Sequence, residues 1–292
     1  IIRKVRMRLY IFVYTIINLV CIPLIAENNI EPKNYIELVQ LFEDWRDFEN
    51  PPLMNGAPDY TKRRFDRAQK EFNALQNRLE NVDTTNWPIY YQVDWWIVRA
   101  EMNGYDFNHR VLRPWVRDPA FYQTIWMYQS DVPAHEGPTN HGVLEFWMFD
   151  FPLNNDRAKD LADQLKTIPN FLFQAKGNLT GNARDLWVAG IENFKEQADN
   201  LEAIRKKVKK HHGKSLDGLL SAPLKNAKEA NDDFIKWLEQ KAPTKNGPSG
   251  IGKENYTWYQ KNVHLVPLSW EEEVSLLQRE LDRSWSSLKM QE

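Results

Sequence analysis

Apolar residues recur every three to four positions along nearly every long segment of this chain. That period is what an α-helix with one buried face requires. Phe65, Ala68, Phe72, Leu75 and Leu79 follow it, with Val82 next, and Ala158, Leu161, Ala162, Leu165 and Ile168 follow it again. Strand patterns, by contrast, are scarce. The sequence therefore predicts a mainly α fold: a multi-helix array of long amphipathic helices with little or no sheet.

In chain order, residues 36–48 read as a short helix stopped by Pro51-Pro52, and residues 54–58 as a loop around Asn55-Gly56. Asp59 is expected to open the next helix. One side of that helix carries Lys62, Arg63, Arg64, Arg67, Lys70, Glu71 and Arg78, a charge run that reads as a solvated face. Asn86 and Pro88 then look like the cap and first residue of a helix. Val93, Trp96, Ile97 and Ala100 are its expected buried face, and Gly104 ends or loosens it. Asp118-Pro119 repeats the cap-then-proline signal. Residues 143–151 are ambiguous between a strand and a buried helical turn. Asn155 starts a helix and Pro169 the one after it. Residues 180–212 read as one long helix with Leu186, Ala189, Phe194, Leu201, Ile204 and Val208 on its stripe and Gly213 as its stop. Its basic end suits the helix dipole. Residues 222–241 form another helix, and 243–252 a loop. Ser269 with Glu272 spells a capping box, followed by an apolar stripe of Val274, Leu277, Leu281, Trp285 and Leu288.

The first 26 residues differ from the rest. Arg3, Lys4, Arg6 and Arg8 precede an apolar run from Leu9 to Ala26, with Pro23 and the small Ala26 suiting cleavage before Glu27. This pattern reads as an export signal peptide, 1–26, so the chain is expected to be periplasmic or extracellular and to meet a membrane only through that segment. Val20 and Asn18 ahead of Cys21 do not suit lipidation. Cys21 is the single cysteine, so the mature chain has no thiol for a disulfide, a nucleophile or a zinc site. Residues 27–292 carry 34 basic against 40 acidic side chains, near −6 in net charge, which gives no footprint for nucleic acid.

The chemistry-bearing candidates are few. Arg110, Arg113 and Arg117 cluster beside Trp115 and are candidates to hold a substrate carboxylate, although arginines so placed also cap helices and stack on aromatics. His135 and His141 are the nearest approach to a metal pair. They lie six residues apart with Gly137-Pro138 between them, unlike the i, i+4 histidines of a zinc-protease helix. His211 and His212 are adjacent and face different directions on a helix. No nucleophile elbow, phosphate loop or cofactor fingerprint is present. No catalytic, cofactor-binding or metal residue is assigned.

Three stretches resemble the bacterial domain of unknown function 885 family: RAEMNGYDFNHRVLRPWVRDPAFY from Arg99, RAKDLADQLKTIPNFLFQAKGNLTGNARDLWVAGI from Arg157, and IGKENYTWYQKNVHLVPLSWEEEV from Ile251. The family resembles zincin-type metallopeptidases, with a zinc-binding His-Glu-x-x-His helix in its second half. The resemblance implies that residues 27–292 are the helical N-terminal portion of a larger zincin-like domain, truncated before the zinc motif. Zinc would belong to the full-length family and not to this chain, which would be inactive alone. Its partner would be the C-terminal catalytic half of the same polypeptide, and its substrate a peptide or small molecule. The alternative is a free-standing periplasmic helical binding protein.

Overall fold

The computed structural model describes residues 32–129 and 141–291. The signal segment, Cys21 and His135 lie outside them. The described chain is mainly helical. Tyr35–Glu49 forms α1, Lys62–Glu80 α2 and Ile89–Phe107 α3. The short turn Pro114–Arg117 is α4. The long helices α5 (Asn155–Asn178), α6 (Arg184–His212) and α7 (Asp217–Lys241) follow. Lys253–Asn262 is α8 and Trp270–Gln291 is α9.

Among the described residues, sheet is confined to two small pairs and an isolated bridge between Ala183 and Gly247. Leu53–Met54 (β1) and Ala57–Pro58 (β2) pair antiparallel. The Asn55-Gly56 link, read as a loop, is a hairpin turn in which both residues take positive φ, 53° and 83°. Asn-Gly suits that turn because neither residue resists the left-handed region. Ile125–Trp126 (β3) and Leu144–Glu145 (β4) pair in parallel, and a 3-10 turn, Phe146–Met148, follows β4. The ambiguous run at 143–151 is thus a strand and then a turn.

Two apolar cores form. The larger joins α5, α6 and α7 through Leu161, Leu165, Phe171, Trp187, Phe194, Phe234 and Leu238. Helix α7 lies against both α5 and α6. The smaller joins α1, α2 and α3 through Leu38, Leu41, Trp45, Phe72, Leu79 and Met102. Each stripe read on α2 and α5 faces its core, because burying it removes apolar area worth about 25 cal/mol per Å².

Several local expectations need correction. The N-cap of α2 is Thr61, whose hydroxyl accepts from Arg64 N–H, while Asp59 in turn holds Thr61. Pro169 lies inside α5 and starts no new helix. Helix α6 begins at Arg184; the residues before it are tied down by Gly181 N–H donating to Val116 O at 2.8 Å. Trp187 and Gly190 are buried in the first turns of α6, where Ala189 faces out. Gly104 does not end α3. It sits where α3 meets Val263, and an added Cβ would meet that side chain at 3.3 Å. The face of α3 expected inside is half out, with Val93, Trp96 and Ile97 each close to half exposed, while Val98, Ala100, Met102 and Phe107 are buried. Apolar residues run round most of this helix, so periodicity did not select a face. Asp118 does cap a helical turn, a 3-10 turn from Pro119 to Tyr122, through Ala120 N–H. The Ser269–Glu272 capping box forms reciprocally, at 2.7 and 3.2 Å.

Candidate functional site

Helix α3 does not stop cleanly. It runs into one π-helical turn, Asn108–Leu112, closed by Arg113 N–H donating to Asn108 O at 2.7 Å. Arg113 then takes φ 44°, ψ 53°, and α4 starts at Pro114. π turns insert one residue into a helix and often sit where function is placed. Here the turn borders a cleft of about 370 Å³, within the range of small-molecule pockets.

The cleft lies between the two cores. The smaller core contributes Phe48 and Tyr105 to its lining and the larger Tyr60, Phe65, Trp115 and Phe121, with Glu49, Arg64, Ala100, Glu101, His141 and Val263 beside them. Its tyrosine wall is fixed from α5. Gln174 accepts from Tyr60 N–H and donates to Pro58 O, and Asn178 donates to Tyr60 O and to the Tyr122 hydroxyl.

His109 lines the cleft from the π turn. Its ring stacks on Tyr105 at 4.0 Å and meets Trp115 at 4.6 Å and Phe65 at 5.8 Å. Nδ1 lies 3.1 Å from the Tyr105 carbonyl, which can only accept, so Nδ1 carries the proton and Nε2 is left with its lone pair. Nε2 is buried and has no hydrogen-bond partner, and the same holds for Asn108 Oδ1. Burial among the rings pushes the His109 pKa down from its ordinary value to about 4, so the ring is neutral near pH 7.

The charges are arranged tightly. Arg46 Nη1 serves two carboxylates, Glu49 at 2.7 Å and Glu101 at 3.2 Å. Arg64, expected on a solvated face, is only 14% exposed and pairs with Glu71 at 2.7 Å. Lys62, Arg63, Arg67, Lys70 and Arg78 are exposed as expected, and Glu71 is half-buried. The pairing with Arg64 holds the Glu71 carboxyl below its usual range.

The arginines singled out in the sequence do not line the cleft. Arg110 is exposed, paired with Asp106 at 3.0 Å and lying over Trp258. Arg113 is exposed at the end of the π turn. Arg117 spans to a distant loop, donating to the carbonyls of Leu112, Pro248, Ser249 and Gly250. Of the histidines, His109, His141 and His264 reach the cleft. His212 instead accepts from Leu153 N–H through Nε2. Among the described residues no group of three or more His, Cys, Asp or Glu side chains is placed to hold a metal ion, so the zinc implied by the family resemblance finds no fitting ligand set there.

The state of His109 gives a pH prediction. An unfolded chain takes up a proton near pH 6.5, whereas the folded chain resists it down to about pH 4. Stability is therefore full above pH 6.5 and falls as pH drops toward 4, by about 3 kcal/mol in all. His109→Phe keeps an aromatic ring without the titration. Its loss of Tm between pH 7 and 5 is expected to be clearly shallower than that of the parent chain. Equal slopes in the two proteins would show that this ring does not titrate as described.

No family model matches the chain, and none of the curated proteins compared with it matches. One solved structure does, described as "a putative lipoprotein of unknown function from Shewanella oneidensis". The TM-score is 0.56 at 15% identity, over 85% of this chain and 44% of that one. The likeness is one of fold. The chain spans less than half the length of this neighbour.

Proposed function

We propose that this chain is the exported, helical front part of a larger zincin-like metallohydrolase, forming one wall of its substrate groove, with the zinc motif on polypeptide beyond it. The observation that carries this reading is α9. Its predicted stripe finds no core: Leu277 is 66% exposed, Trp285 56% and Leu281 51%, and no residue of the helix is buried. A regular apolar stripe over 22 residues is costly to leave in water and marks a surface that packs on further protein. The family resemblance supplies the identity of that protein, the catalytic half of the same polypeptide. A structural neighbour with more than half its chain unmatched agrees with such an arrangement. Its description as a lipoprotein agrees with export, as does the basic-then-apolar start of this chain.

The reading frame beyond the Glu292 codon and the zinc content of its product test the proposal. A frame reaching a His-Glu-x-x-His helix, and a product holding about one zinc per chain, are expected. A stop codon directly after Glu292 would overturn it.

A second reading, a free-standing helical binding protein, is favoured by the aromatic-lined cleft of about 370 Å³. The isolated chain separates the two by its behaviour at rising concentration. A bare α9 stripe drives self-association, whereas a self-sufficient binding protein stays monomeric and melts in one cooperative step.

A further inference from the structure

The acceptors in the cleft point to a ligand that neither reading above names. Asn108 Oδ1 and His109 Nε2 are buried without a hydrogen-bond partner, and so is Glu101 Oε2 apart from its ion pair with Arg46. All three belong to residues that line the cleft, and all three atoms can only accept. A buried acceptor without a donor costs about 1–3 kcal/mol, so the site gains by receiving N–H groups. Charge works in the same direction. Among the described lining residues, Glu49, Asp59 and Glu101 stand against the guanidinium of Arg64, itself committed to Glu71. Arg46 is divided between Glu49 and Glu101. The walls are the faces and edges of Phe48, Phe65, Tyr105 and Trp115, with Phe65 stacked on Trp115 at 4.1 Å. Aromatic faces attract cations and repel anions.

We infer that this cleft binds a protonated primary amine carried on an apolar or aromatic body. The carboxylates of Glu49 and Glu101 and the unmet acceptors of the π turn draw the ammonium group in, and the body lies among the rings. A neutral His109 is what such a ligand requires, because an imidazolium would repel it. The inference concerns this chain by itself and stands whether or not a catalytic half follows.

Calorimetric titration of the whole chain with 2-phenylethylammonium tests it, with 2-phenylethanol and 3-phenylpropanoate as neutral and anionic probes of similar size. The ammonium is expected to bind about ten-fold or more tighter than the alcohol, and the carboxylate weakest. Glu101→Gln is expected to weaken the ammonium about ten-fold and leave the alcohol unchanged. Should that variant fail to fold, the order of the three probes on the parent chain decides. Equal affinities, a preference for the carboxylate, or no binding of the ammonium overturns the inference.

Discussion

Gln197→Met is expected to cost about 4 kcal/mol of stability, although the replacement has nearly the same length. Gln197 is fully buried on α6. Its Oε1 accepts from Thr124 N–H at 2.7 Å and from Ile125 N–H at 3.2 Å, where β3 begins. Its Nε2 donates to Asn231 Oδ1 on α7 at 2.9 Å, and Asn231 donates onward to the Phe194 carbonyl. One amide thus satisfies two backbone donors and one side-chain acceptor that water cannot reach. A thioether satisfies none of them. Leaving each buried polar group unmet costs about 1–3 kcal/mol, with the better packing of sulfur returning a little. Urea unfolding at equal m-value measures the loss directly. A change under about 1 kcal/mol would show that the network is not holding the β3 strand to the helices.

Trp45→Ala is the second large effect, about 4 kcal/mol, in the range for emptying a buried aromatic site. Trp45 is fully buried and anchors the smaller core. Its ring meets Phe48 at 5.5 Å, Phe72 at 5.9 Å and Tyr105 at 5.3 Å. The loss falls on α1, α2 and α3, not on the α5–α7 core, which contains none of these rings. Hydrogen exchange is therefore expected to accelerate in α1–α3 and to stay slow in α6 and α7. Uniform acceleration across the chain would mean that the two cores open as one. Phe48 and Tyr105 also face the cleft, so ammonium binding is expected to weaken in the same variant.

The helices were legible in the sequence because their stripes are spaced for them. The α5 stripe is buried to the last residue read on it, and the Ser269–Glu272 box forms as spelled. Where apolar residues run round most of a helix, as in α3, the same rule could not choose a face. Pro169 misled because a proline is tolerated inside a long helix that packing holds on both sides of it. The cleft was the least legible part. His109 stood inside the tryptophan-rich stretch, but its bareness depends on Tyr105, Trp115 and Phe65 closing round it from α3, α4 and α2. Arg64 looked like one more surface charge, and only its pairing with Glu71 and its burial set it apart. A guanidinium cluster in sequence suggested a grip on carboxylates, yet Arg117 spends its donors on backbone carbonyls of the 248–250 loop. The signal available in advance was the coincidence of His109, Asn108 and Glu101 at helical spacing on one segment.

The two cores meet at the cleft, which has a thermodynamic consequence for anything that enters it. Phe48 and Tyr105 belong to the α1–α3 packing, while Tyr60, Phe65 and Trp115 belong to the α5–α7 packing. The cleft is thus a seam between two packings that α2 crosses, with Phe65 in the larger and Phe72 in the smaller. A guest that touches both walls acts as a rivet across that seam. Its binding free energy adds to the unfolding free energy of the chain, so a guest that fills the cleft raises the cost of opening either packing.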